Sequence, residues 1–386
     1  MIIGIDGNEA NVKNRVGANQ YAFELLLALY DLPESQEHQF IIYLRSNPLP
    51  DMPKRREGWE YKVFGPKYFW TQLALPFSLF FGKHLDIFFT PGHYRPRWSP
   101  IPTVVSIMDL GYLRYPEQFT KRDWLQLSRW TGHSIKNANH ILAISESTKK
   151  DIVKSYGVPD KKITVTYPGY DRKNFQFPIS NFQLKQVKEK YKIDGDYILF
   201  LGTLKPSKNV EGLIQAFRLL GSLASRNNKP KSPMTQEPND LSLVIAGKRG
   251  WLYDSIFSLV KELGLEEKVI FTDFVADEDV PSLLSGAKVF VLPSFWEGFG
   301  IPAVEAMAVG TPVVASNVGS LPEVVGNADI LVDPNMPEDI AKGIEKALKN
   351  HKKLSKKGLV RVKMFDWQKT AHQTLGVLEK VVNPDV

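Results

Sequence analysis

Glu297 and Glu305 stand eight positions apart in the run Pro293-Ser294-Phe295-Trp296-Glu297-Gly298-Phe299-Gly300-Ile301-Pro302-Ala303-Val304-Glu305-Ala306-Met307. The apolar stretch before it, ending at Leu292, reads as a strand that stops at Pro293. Two glycines follow, and Pro302 falls where a first helical turn accepts proline. The spacing therefore predicts a strand, a glycine loop and a helix, with the helix N-terminus at the carboxyl end of the strand. Anionic ligands bind at such places in open α/β sheets. Main-chain amides at Phe299, Gly300 and Ile301 would be donors with the helix dipole behind them, an arrangement suited to a diphosphate. A carboxylate repels phosphate, so the glutamates suit paired hydroxyls of a ribose or a hexose. The alternative is that Glu305 merely offsets the dipole and Glu297 is solvated.

A second segment, Gly202-Thr203-Leu204-Lys205-Pro206-Ser207-Lys208-Asn209, follows the apolar run Ile198 to Leu201 and opens a helix predicted over Val210 to Leu220. Lys208 at a helix start opposes the dipole, a cost that a bound phosphate between them would relieve. Lys205 supplies a further charge.

The glutamate pair in its Trp-Glu-Gly-Phe-Gly-Ile-Pro-Ala-Val-Glu-Ala-Met setting resembles the signature of glycosyltransferase family 4. The similarity extends over most of the chain. It implies a retaining, group 1, mannosyltransferase-like enzyme of the GT-B fold: two Rossmann-like, doubly wound parallel sheets facing across a cleft. It implies a GDP- or UDP-sugar donor, a glycan or lipid-linked acceptor, and neither metal nor cofactor. By resemblance Lys208 meets the diphosphate, Glu297 lies near the sugar ring as the second catalytic residue, and Glu305 holds ribose hydroxyls. Gly202, Gly247 (in Ala246-Gly247-Lys248) and Val275 fall on donor-binding landmarks, and Gly17 would close over the phosphates from the other domain. The chain departs from the family at Val16, Thr203 and Ser207, and at Met108, where relatives usually carry a histidine before Asp109. Met108 can neither give nor take a proton, so phosphate-assisted front-face transfer is the mechanism the resemblance leaves. His93 reads as an incidental loop residue. A silent nucleotide-sugar-binding protein, or an epimerase of the same plan, is the alternative.

The elements that must position these residues read as short apolar runs alternating with helical stretches, the pattern of parallel α/β sheets. Strands are predicted at 2–5, 40–44, 61–64, 86–89, 103–107, 140–144 and 163–165, and again at 197–201, 241–246, 269–272, 289–292, 313–315 and 330–332. Domains are expected over 1–176 and 177–365, with a last helix over 366–386 packing back on the first. Ser222 to Asp240 reads as a polar, proline-broken surface insertion. Tyr68 to Phe81 reads as a core helix or as an interfacial helix seeking lipid.

With 386 residues and 43% hydrophobic content, two ordinary domains are expected. The chain has no cysteine, which excludes disulfides and thiolate metal sites. Its net charge of +7 suits anionic substrates or a membrane surface, and no nucleic-acid partner is expected. The first residues do not read as a signal peptide and no apolar run spans a bilayer. A cytoplasmic location is expected, with peripheral contact at the inner membrane surface left open.

Overall fold

The computed structural model describes residues 1–66, 68–226, 241–250 and 253–384. They form two compact units, Met1–Gly169 with Phe365–Val386, and Tyr170–Met364.

The first unit is built on seven parallel strands: β1 (Ile2–Asp6), β2 (Gln39–Leu44), β3 (Trp59–Val63), β4 (Ile87–Thr90), β5 (Thr103–Ile107), β6 (His140–Ala143) and β7 (Ile163–Val165). Their order across the sheet is 3-2-1-4-5-6-7. The second unit has six: β8 (Asp196–Leu201), β9 (Leu241–Ala246), β10 (Val269–Asp273), β11 (Val289–Leu292), β12 (Val313–Ser316) and β13 (Ile330–Val332), in the order 10-9-8-11-12-13. Each sheet reverses its winding direction once, between β1 and β4 and between β8 and β11. Ligands of doubly wound sheets bind beyond the carboxyl ends of the strands at such a switch point.

Each predicted strand is present within a residue or two. Central strands covered on both faces need apolar residues at every position, and all four residues of β11 are buried. Helix Val210–Arg226 runs further than the predicted Leu220. Of the expected insertion, residues 227–240 lie outside the described residues.

Helix Trp367–Val382 belongs to the first unit, where the Trp367 ring meets the Tyr21 ring edge-on at 5.7 Å. A Cβ on Gly169 would fall 2.2 Å from the Trp367 nitrogen, so glycine is what lets the chain pass. Among the described residues no helix is long and apolar enough to cross a membrane.

Candidate functional site

The loops after β8 and β11 lie side by side at the switch point of the second unit and are bonded to each other three ways. The Phe295 amide donates to the Ser207 carbonyl at 2.9 Å. The buried Asn209 amide donates to the Pro293 carbonyl at 3.0 Å and to the Pro334 carbonyl at 2.6 Å, which also draws in the loop after β13. The third link is between side chains: Lys208 Nζ donates to Glu297 Oε1 at 2.5 Å, both side chains being mostly covered, with 16% and 13% exposed.

Glu297 is held from several sides. Ser294 Oγ donates to the same Oε1 at 2.6 Å. The Glu297 carbonyl accepts from the amide and the hydroxyl of Ser320, at 3.3 and 3.0 Å. Gly319, at φ 62, lets the main chain approach: a Cβ there would lie 2.8 Å from the Glu297 oxygen. Burial alone pushes the Glu297 carboxyl up. The Lys208 ammonium beside it, the hydrogen bonds from Lys208 and Ser294, and the charge of Lys205 together hold it below its ordinary value. The group is thus an anion at neutral pH and a poor proton acceptor. The reading of Glu297 as a merely solvated side chain does not describe it.

Gly300 caps helix Ile301–Ala308 in the left-handed region, φ 90, with Pro302 in the first turn as predicted. A Cβ at Gly300 would sit 2.6 Å from Leu321 Cδ2, so conformation and space both require glycine. The Ala303 amide closes the first turn of that helix by donating to the Gly300 carbonyl at 2.9 Å. Phe299 is buried and Ile301 half-buried. Glu305 lies one turn into the helix and is also half-buried.

Gly202 and Gly247 end β8 and β9. Gly202 donates to the Ala246 carbonyl at 2.9 Å and Gly247 to the Asp273 carbonyl at 2.8 Å, which laces three successive loops together. Gly247 has φ 139, and a Cβ there would meet the Gly202 oxygen at 2.0 Å. The Lys208 stem passes beside Gly202, its Cε 3.8 Å from the site of a Cβ. Lys205 precedes the short helical turn Pro206–Lys208. The structure thus brings Lys208, Lys205, Gly202, Glu297 and the start of helix Ile301–Ala308 to one place. Val275 is buried in the loop after β10, the edge strand. Gly17 belongs to the first unit, where it precedes helix Ala18–Asp31 at φ 56 with open space around it.

The carboxyl ends of β1, β4 and β5 hold a second polar group. Burial pushes Asp6 up to about 6, while bonds from the Asn8 amide and side chain, at 3.1 and 2.7 Å, pull the other way. Glu9 is also raised by burial and accepts from Asn19 Nδ2 at 2.5 Å. Burial lowers the His93 imidazole against the upward pull of Asp109, and its Nδ1 is enclosed without a hydrogen-bond partner. Met108 is buried, and its carbonyl accepts from Thr148 Oγ1 at 3.0 Å.

Sequence reasoning missed Asn209, Ser294 and Ser320. Asparagine after Lys208 reads as a plain helix cap. Its φ of 54 is one that asparagine tolerates better than most residues, but the sequence alone does not show that this position adopts it. The two serines carry none, because their partners lie across the fold.

Comparison with known proteins decides the family. Residues 182–358 match the model of "Glycosyl transferases group 1" and residues 17–174 that of "Glycosyltransferase Family 4". Over 293 residues the chain is 32% identical to O-antigen chain mannosyltransferase B of Escherichia coli, a match covering 75% of this chain and 73% of that one. The chain belongs to glycosyltransferase family 4. The serotype-specific mannosyltransferase WbdA of Escherichia coli is 30% identical over 241 residues, 61% of this family member but 28% of the longer relative. HepE of Anabaena, solved in complex with UDP, superposes with a TM-score of 0.70 at 18% identity, over 98% of this chain and 99% of that one. The family member therefore has the GT-B fold, and glycosyl transfer is its activity.

Proposed function

We propose that the chain is a retaining mannosyltransferase that takes its sugar from a nucleoside diphosphate donor and places it on a lipid-carried glycan at the cytoplasmic face of a membrane. The observation that carries this reading is the meeting of Lys208, Glu297 and the start of helix Ile301–Ala308 at the switch point between β8 and β11. As the glycosidic bond breaks, negative charge builds on the departing diphosphate. The Lys208 ammonium and the amides at Phe299, Gly300 and Ile301 offset it there, with Lys205 in support. These groups perform the task that a divalent ion has in other transferases, so the reaction is read as independent of metal.

Glu297 stays ionised and supports the positive charge that develops on the sugar ring, while fixing the Lys208 ammonium in place. Its lowered pKa argues against a role as proton carrier, so a departing phosphate oxygen takes the acceptor proton. Front-face transfer of this kind retains the anomeric configuration. Glu305 takes ribose hydroxyls, Gly202 and Gly247 keep the main chain open to the nucleotide, and Val275 offers main chain to the base. Gly17 and the group of Asp6, Glu9 and His93 belong to the binding of phosphates and acceptor hydroxyls by the first unit. The mannosyltransferase names of two relatives support the sugar, and the UDP complex of the Anabaena neighbour supports a nucleoside diphosphate without choosing between GDP and UDP.

The test is incubation with labelled GDP-mannose and with UDP-glucose, with and without a chelator, followed by NMR assignment of the product anomer. Consumption of one donor with retention, unaffected by the chelator, is expected. Stability of both donors, or an inverted product, contradicts the reading.

A further inference from the structure

Residues 68–81 of the first unit form a π-helical turn, Trp70–Ala74, that continues into helix Leu75–Phe81. One face is core: Trp70, Ala74, Leu75 and Leu79 pack with Ile41, Tyr43 and Phe88. The other face is apolar too, yet Tyr68, Phe69, Leu73, Phe77, Phe80 and Phe81 are exposed, Tyr68 by 85% and Phe81 by 77%. Phe77 and Phe81 lie against each other with ring centres 4.8 Å apart. The loop after β4 joins the same face, since the Arg97 amide donates to the Thr71 carbonyl at 2.9 Å and the adjoining Trp98 is 56% exposed. So much exposed aromatic surface in one short span marks an interaction site.

The charge around it says what covers it. Residues 61–83 contain three lysines and no aspartate or glutamate, with the one flanking acid, Glu60, placing its Oε2 3.8 Å from Lys83 Nζ. Lys62 Nζ lies 2.8 Å from where a Cβ on Gly82 would stand, at the end of the helix. The Arg97 guanidinium lies 5.9 Å from the Trp98 ring centre. Phenylalanines between cations, with tryptophan and tyrosine as the amphipathic rings, match the boundary between acyl chains and anionic headgroups. A second copy of the chain would set like charges against each other.

We propose that this face docks on an anionic lipid bilayer, with Phe77, Phe80 and Phe81 entering the acyl boundary and Lys62, Lys83 and Arg97 at headgroup level. The inference deepens the functional reading, since a lipid-carried acceptor gives the contact its purpose, but the docking is measured without any transfer reaction. The experiment is flotation of the full chain with vesicles of phosphatidylcholine containing phosphatidylglycerol, and with vesicles of phosphatidylcholine alone. Binding to the mixed vesicles is expected, weakened by salt. It should fall about tenfold in Phe77→Ser/Phe81→Ser and also fall in Arg97→Glu, with the melting curves unchanged. Failure to bind mixed vesicles, or equal binding by wild type and both variants, overturns the proposal. So does a dimer in solution that the double substitution dissociates without any vesicle binding by the wild type. Transfer to a water-soluble acceptor should be equal in wild type and the double variant. Absence of that transfer in both would count against the functional reading and leave the vesicle result standing.

Discussion

Lys208 and Glu297 join their side chains across the boundary between β8 and β11, at 2.5 Å, where the second sheet changes its winding direction. The Lys208 ammonium helps hold the Glu297 carboxyl below its ordinary pKa at a place mostly shielded from water. Lys208→Met removes the cation offered to the leaving group, and Glu297→Gln removes the anion that places it. Each is expected to lower the transfer rate about a hundredfold or more. The double variant should lose far less than the product of the two, because the groups act as a unit. Steady-state rates for the three variants check this, and circular dichroism should show all of them folded.

Asn209 ties three loops at the edge of the site through the Pro293 and Pro334 carbonyls. Asn209→Ala leaves both carbonyls without that donor and puts at φ 54 an alanine, which tolerates the left-handed region less well than asparagine does. It should destabilise the chain by about 2–4 kcal/mol. Asn209→Gly relieves the backbone cost alone and should recover about 1 kcal/mol of that loss. Urea melts of the two variants test the order, and equal loss in both contradicts it.

Asp329 gives a pH-dependent stability of definite sign. Its Oδ1 accepts from the Val313 amide at 2.8 Å, at the start of β12, while Oδ2 is buried without a partner. Burial raises its pKa from 3.8 to about 7, against the pull of the Val313 bond. The fold prefers the neutral acid, so this contribution is complete below pH 3.8 and is lost as the pH climbs to about 7. The loss should be about 2–4 kcal/mol. Asp329→Asn keeps the acceptor for Val313 and removes the ionisation, so its unfolding free energy should vary less between pH 4 and pH 8. Denaturant melts across that range decide it.

Much of this was legible in the sequence for a physical reason. A strand buried on both faces must be apolar along most of its length, so β4, β8 and β11 announce themselves. Gly300 was legible because a left-handed helix cap admits little else, and Pro302 because only the first turn tolerates it. The chain could not announce partners far apart in sequence. Asn209 finds Pro334, Ser294 finds Glu297, and Ser320 finds the Glu297 carbonyl only once the sheet has assembled. Gly247 was expected at the nucleotide, but the close pass of the Gly202 carbonyl already requires a glycine there. Residues 68–81 were read as either core or interfacial because periodicity cannot separate two apolar faces. The structure gives Leu75 to the one and Phe77 to the other.

The central claim is that the Lys208 ammonium and the turn ending at Gly300 receive a pyrophosphate. Calorimetric titration of wild type and Lys208→Met with GDP and UDP, each beside its parent nucleoside, tests it most directly. One diphosphate is expected to bind wild type and to be weakened about tenfold or more by the substitution, while the nucleoside is unaffected. Equal affinity of that diphosphate for both proteins would contradict it.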